Sequence, residues 1–315
     1  MEGLLDRSST LLVSTKFIKE VYMEAIYLNT SDGVKLNGII YKSNNAKKIV
    51  ISVHGMATSC LKKREEIIAQ KLNSINIDYL TFNNRGHDII NYSSKEINET
   101  RENFLGGTAY EVIDECIYDI KAAIDFVIKN NYEEIYLLGH SLGSTKVVYT
   151  YNKIKENNIE LKNKIKGIIL LSLVDLPFAQ KIYLGDKYSK VLSYAEKLEK
   201  ENKLEDIMPD KSFIYPISAR VYLRYFRDNA DLNFAQYANP TYNFKELNNI
   251  DVPLFMRWGN NGELILQDAK ELCINLQKKI TNKKLDIGYI EGANHNYTNK
   301  EIELAEQIKN FMQKI

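Results

Sequence analysis

Short apolar runs alternate with amphipathic stretches along most of the chain. Residues 48–53, 78–82, 135–138, 165–174, 252–257 and 285–290 are near-continuous apolar runs with the length and bulk of buried strands. The stretches between them show helical spacing. Residues 63–74 place Ile67, Ile68 and Leu72 on one face, and residues 110–129 do the same with Val112, Cys116, Ile120, Ile124 and Val127. Residues 266–280 and the segment from 301 to the C-terminus read as two further helices. Nearer the start, residues 21–28 and 34–41 read as strands joined by a turn at 29–33, a hairpin. The polar stretch 91–107 reads as a loop. Strands that are apolar on both faces and alternate with helices predict an α/β fold, a mainly parallel sheet covered on both sides.

The alternation stops between Asp175 and Asp251. Helical pieces at 189–203 and 219–226 replace it, with a dense series of rings running from Tyr183 to Phe244. Packing of a helical insertion accounts for most of these rings. A functional reading makes the segment a cap whose aromatic underside forms part of an acyl- or alcohol-binding pocket, with Tyr222 a candidate pocket residue. The division that follows is a core of residues 1–175 and 250–315 and a helical, aromatic-rich cap of residues 176–249.

Where the run 135–138 meets a helical pattern (Val147, Val148, Tyr151), the sequence reads Gly139-His140-Ser141-Leu142-Gly143. A serine hydroxyl is a poor nucleophile unless a base takes its proton and the side chain stands clear of its neighbours. A sharp strand-to-helix turn gives that exposure, and side chains at Gly139 and Gly143 would collide across it. The following helix also aims its N-terminal amides at the place where negative charge develops in acyl transfer. Ser141 is therefore the candidate nucleophile.

A base and an orienting carboxylate must complete such a site. The chain has four histidines. His140 lies inside the turn, with its ring expected to point away from the serine. His54 ends a strand and is placed to brace its loop. His87 could line the pocket or support its own loop. His295, after the last strand and before the last helix, gives the order Ser first and His last and is the candidate base. Glu263 is the first carboxylate after the strand 252–257, and Asp175, directly after the strand 165–174, is the alternative acid, with Asp268 behind both. The amides of Leu142 and Met56 are the candidate oxyanion donors, and Gly55 lets the second backbone approach a substrate oxygen. Gly55, His87 and Tyr222 are thus the candidate substrate-binding positions.

Four motifs, His54-Gly55-Met56, Asn84-Arg85-Gly86-His87, Gly139-His140-Ser141-Leu142-Gly143 and Gly292-Ala293-Asn294-His295, resemble those of the α/β-hydrolase superfamily over roughly residues 20–315. More narrowly, the chain is similar to bacterial capped esterases and to lysophospholipase-like and serine-aminopeptidase-like proteins. The resemblance implies the α/β-hydrolase fold, with an eight-stranded, mostly parallel sheet, a helical cap after the sixth strand, and no cofactor. One departure matters. The family usually has an aspartate soon after the glycine that follows the seventh strand, and these positions here are Asn260, Asn261 and Gly262.

Bulk composition narrows the picture further. Basic and acidic residues number 42 and 41, so the sequence carries no electrostatic footprint for nucleic acid. Residues 1–20 contain Leu11-Leu12-Val13 but no apolar stretch long enough for a membrane span or a signal peptide. Three widely spaced cysteines, none in a Cys-x-x-Cys or Cys/His cluster, suggest reduced thiols in the cytoplasm and argue against a zinc site. The expectation is a cytoplasmic serine hydrolase acting on a small-molecule ester or thioester through an acyl-enzyme. Acyl transfer by the same residues and a non-catalytic binding protein on the same fold are the alternatives.

Overall fold

The computed structural model describes residues 22–227, 232–265 and 268–315. Ten strands occur in these residues: β1 Tyr22–Asn29, β2 Lys35–Lys42, β3 Lys48–Val53, β4 Ile77–Phe82, β5 Asn91–Ile97, β6 Thr100–Gly106, β7 Glu134–His140, β8 Ile165–Leu171, β9 Leu254–Gly259 and β10 Leu285–Ile290. The α-helices are α1 Lys63–Asn73, α2 Cys116–Lys129, α3 Leu142–Asn157, α4 Ile159–Lys164, α5 Leu176–Leu184, α6 Tyr188–Lys200, α7 Ala219–Phe226, α8 Lys245–Asn248, α9 Ala269–Lys279 and α10 Glu301–Lys314. None of the described helices is long and apolar enough to cross a membrane. The run Leu11-Leu12-Val13, residue 21 of the first expected strand and residues 266–267 of an expected helix lie outside the described residues.

Eight strands form one sheet in the order β1-β2-β4-β3-β7-β8-β9-β10. The pairs β1–β2 and β2–β4 are antiparallel, and every pair from β4 onward is parallel. The expected mostly parallel sheet is therefore the one found. Its two faces carry separate apolar clusters. Ile68 and Leu72 of α1 pack with Leu304, Ile308 and Phe311 of α10 over one face. Residues of α2, α3 and α9, including Ile120, Val147 and Leu272, cover the other. Strands buried on both sides must be apolar throughout, which explains why β4 and β7 read as continuous apolar runs. Parallel strands also bring their C-terminal ends to one edge, so the loops after β3, β4, β7, β8, β9 and β10 gather there.

One expectation is corrected. Residues 91–107 are not an irregular loop; they contain β5 and β6, paired antiparallel from Asn91↔Gly106 to Ile97↔Thr100. Both turn residues, Asn98 and Glu99, have positive φ (49° and 63°), the backbone a two-residue hairpin turn needs. Most side chains of the hairpin are exposed or half-buried, so no apolar alternation marks it in the sequence. Element ends shift elsewhere. Helix α2 begins at Cys116 after a single 3₁₀ turn at Ile113–Glu115, and β8 stops at Leu171 because Ser172 turns to φ 49°.

The described residues between β8 and β9 include helices α5 to α8, and a buried polar group ties α7 to α3 and to the loop after β4. Lys146 of α3 pairs with Glu111, and both side chains are 1% exposed. Lys146 Nζ also donates to Asn84 Oδ1 (3.0 Å), and the Tyr225 hydroxyl of α7 donates to Glu111 Oε2 (2.9 Å). Removing one member of a buried pair leaves the other charge uncompensated, at a cost of about 3–5 kcal/mol. Glu111→Gln should therefore lower the free energy of urea unfolding by about 3 kcal/mol, and a loss under about 1 kcal/mol would contradict this role.

Candidate active site

The turn from β7 into α3 holds Ser141 at φ 56°, ψ −124°, a backbone conformation rarely adopted by a residue with a side chain. Its neighbours explain the glycines. A Cβ at Gly139 would stand 2.4 Å from Gly143 O, and one at Gly143 would stand 2.0 Å from Val53 O. A Cβ at Gly55 would lie 2.9 Å from both His140 O and Ser141 Cβ, so the loop after β3 closes directly onto the turn. The Ser141 amide donates to Leu171 O (2.8 Å), which ties the turn to the end of β8. Leu142 opens α3 and Met56 follows Gly55; both line the cavity over Ser141.

His295 reaches the serine from the loop after β10. Its Nε2 lies 3.0 Å from Ser141 Oγ, and its Nδ1 lies 2.8 Å from Glu263 Oε2. The β9 and β10 loops are seated on each other: a Cβ at Gly259 would stand 2.1 Å from Ala293 O, and the Asn261 amide donates to the same carbonyl (2.9 Å). Glu263 turns back on its own strand, where Oε1 accepts from the Gly259 amide (3.0 Å) and from Ser172 Oγ. Ser172 in turn lies 3.0 Å from the Tyr297 hydroxyl, which donates to Arg257 O (2.8 Å). Burial pushes the Glu263 carboxyl up, but bonds to His295, Gly259 and Ser172 outweigh it and hold the group below its ordinary value. Asp175 is used elsewhere. Its Oδ1 caps α5 through the Phe178 amide (3.3 Å) and accepts from Asn233 Nδ2 (3.3 Å). Asp268 caps α9 through the amides of Lys270 and Glu271.

The other histidines are supports. Burial, with Lys146 nearby, pushes His54 down to about 3, so its ring is neutral. Nδ1 then donates to Gly55 O (2.8 Å) and Nε2 accepts from the Asn84 amide (3.2 Å), which braces the β3 and β4 loops together. His140 does not simply point away from the serine. Its Nε2 donates to His295 O (2.8 Å), the two rings stand 5.1 Å apart, and burial keeps it well below its ordinary value and neutral. Sequence reasoning missed this support, since nothing local couples residues 140 and 295.

Two candidate substrate contacts are corrected. His87 is held within the β4 loop, with Nδ1 3.0 Å from Asn84 O, and it lies outside the cavity lining. Tyr222 is fully buried, with its hydroxyl on Gln180 Nε2 (3.3 Å) and its ring against Phe226. Phe226, one turn further along α7, is the ring of that helix that reaches the cavity. The cavity is about 550 Å³ and is lined by Ser141, His295, Gly55 and Met56 together with Leu176, Tyr183 and Phe213 of the helical segment. Among the described residues, no group of three or more His, Cys, Asp or Glu is placed to hold a metal ion.

A family model described as "Protein of unknown function (DUF1749)" matches residues 104–315, more than half of the chain. The chain belongs to this family. Several solved structures share its architecture. Est1E from Butyrivibrio proteoclasticus, in a structure with ferulic acid bound, is 19% identical with a TM-score of 0.62, over 92% of this chain and 98% of that one. A soluble variant of monoglyceride lipase from Saccharomyces cerevisiae, in complex with a substrate analog, is 14% identical with a TM-score of 0.62, over 94% and 97%. The Pyrococcus furiosus esterase Pf2001 is 18% identical with a TM-score of 0.56, over 93% and 91%. At these identities the likeness establishes the fold, and the chain has the α/β-hydrolase fold. The search among curated proteins found no match.

The lowered Glu263 carboxyl predicts a pH dependence of stability. Its contribution is complete above the ordinary value of 4.5 and is lost as pH falls through the lower folded value. In unfolding measured from pH 7 to pH 3, the stability difference between wild type and Glu263→Gln should shrink on the acid side. A difference that is constant or grows toward low pH would contradict the assignment.

Proposed function

We propose that the chain is a serine hydrolase that cleaves a carboxylic ester or thioester through an acyl-enzyme. The observation that carries this reading is the continuous path from Ser141 Oγ through His295 to Glu263, with steps of 3.0 and 2.8 Å, at the floor of a 550 Å³ cavity. Ser141 Oγ attacks the carbonyl carbon while His295 Nε2 takes its proton. The carbonyl π electrons move to oxygen, and the amides of Leu142 and Met56 stabilise that oxyanion. Collapse of the intermediate breaks the bond to the leaving alcohol or thiol, which receives the proton from His295. Water then repeats the sequence on the acyl-enzyme and regenerates Ser141. Glu263 fixes the imidazole with Nδ1 protonated and offsets its transient positive charge.

Residues 176–249 are taken as a cap over a core of residues 1–175 and 250–315, so the acyl part of the substrate would meet Leu176, Tyr183 and Phe213. Solved relatives in fold that are titled an esterase and a monoglyceride lipase are in keeping with ester chemistry. The three cysteines are unpaired and buried, in keeping with a reducing compartment such as the cytoplasm.

A fluorophosphonate probe should label Ser141 stoichiometrically. Ser141→Ala should abolish labelling and cut turnover of p-nitrophenyl esters by about 10⁴-fold or more, and Glu263→Gln should cut it by about 10²- to 10⁴-fold. Absence of labelling, or a tenth of the activity surviving in Ser141→Ala, would remove the hydrolase reading in favour of a binding protein. Product analysis with added alcohol, amine or thiol separates hydrolysis from acyl transfer.

A further inference from the structure

The cavity over Ser141 is uneven in charge. The helical segment supplies apolar wall, with Leu176, Ala179, Tyr183, Phe213, Tyr215 and Phe226. The loop after β3 and the first turn of α1 supply Lys62, Lys63 and Arg64. The lining contains a single carboxylate, Glu301, and among the described residues only Arg64 of the three cations is paired with a carboxylate beside it, Glu65, so Lys62 and Lys63 carry the local excess. In a chain with 42 basic and 41 acidic residues, that bias is local and does not follow from composition.

Arg64 is fixed in place and is 6% exposed. Nε and Nη2 both donate to Glu65 Oε1 (3.0 and 2.7 Å), while Glu65 Oε2 accepts from Ser52 Oγ (2.7 Å) and from the Tyr79 hydroxyl. One edge of the guanidinium is thereby anchored, and Nη1 has no hydrogen-bond partner among the described residues. The first turn of α1 carries no side-chain cap at Lys62, so its amides lack side-chain acceptors, while Glu65 and Glu66 of the same turn offset part of the charge at that helix end. An anchored guanidinium, two lysines and uncapped helix amides are all donors. A carboxylate or phosphate would satisfy them with charge-assisted bonds, whereas a neutral ligand would leave them unpaired.

We infer that the substrate is an acyl ester that also carries an oxyanion, phosphate or carboxylate, seated against Lys62, Lys63 and Arg64 while its apolar part lies along Leu176, Tyr183 and Phe213. The inference rests on the hydrolase reading of Ser141 and specifies the substrate class for that site. The amphiphile has a charged end and an apolar end because the cavity has both.

Binding to full-length Ser141→Ala tests it by calorimetry on two matched pairs. Hexanoyl glycerol 3-phosphate against hexanoyl glycerol places the anion on the leaving alcohol. Monomethyl glutarate against dimethyl glutarate places it on the acyl part. One anionic member should bind about tenfold tighter than its neutral partner, and the preference should fall several-fold between about 50 and 500 mM salt. Lys62→Ala/Lys63→Ala should remove most of that preference. These exposed lysines are chosen because Arg64 substitutions would strand buried Glu65. Equal affinities within both pairs, or an unchanged preference in the double variant, would overturn the inference. Fluorophosphonate labelling of the wild type runs alongside. Labelling without anion preference sinks the oxyanion site alone, and preference without labelling supports that site while sinking the hydrolase reading.

Discussion

Ser141 can stand free of its neighbours only because the backbone around it is held where backbone seldom goes. Its left-handed φ of 56° costs on the order of 1–3 kcal/mol and persists only where the surroundings over-determine it. Here they do so from three sides. Gly143 lets α3 start within contact of the Val53 carbonyl, Gly139 lets the turn fold on itself, and Gly55 lets the β3 loop close over the serine. The Ser141 amide bond to Leu171 adds a tie to the next strand. A side chain at any of these glycines would push apart the strand ends whose loops carry the rest of the site.

The carboxylate shows how a departure in sequence is absorbed by geometry. Where the resemblance leads one to expect an aspartate, this chain has Asn260, Asn261 and Gly262, and the carboxylate that meets His295 comes one position later, from Glu263. The longer side chain folds back until Oε1 meets the Gly259 amide, which leaves Oε2 for His295. Ser172, held in a left-handed turn after β8, supplies a second donor to Oε1, with the Tyr297 hydroxyl 3.0 Å away. Three strands thus converge on one carboxylate, and its charge is stabilised by hydrogen bonds despite burial.

Much of this was legible because the signals are local. Strands 48–53 and 285–290 and the helix 219–226 match the observed β3, β10 and α7 residue for residue, since burial on one or both faces imposes the apolar pattern. Ser141 and His295 were singled out by their loops, and the structure brings them within 3.0 Å of each other. The hairpin β5–β6 was hidden because its pairing is made by backbone and its side chains face water. His87 and Tyr222 were misplaced for a different reason. Sequence shows that a ring follows a strand or sits on a helix, but not which way the loop or helix turns it. The links from His140 to His295 and from Ser172 to Glu263 span 155 and 91 residues, and no spacing rule connects positions so far apart.

The fate of the three histidines around the serine follows from what faces each one. His54 and His140 are buried beside cations or another imidazole and have no carboxylate partner, so each stays neutral and can serve as a fixed donor. His295 alone is paired with a carboxylate, so only there is a positive ring compensated when it forms. Burial is the main reason both rings stay neutral, and nearby cations, Lys146 and Lys62 for His54 and Arg64 and Lys62 for His140, act in the same direction. The Glu263 carboxylate that meets His295 is in turn held by the Gly259 amide of β9 and by Ser172 after β8, so the pair is fixed from several loops and not left to solvent.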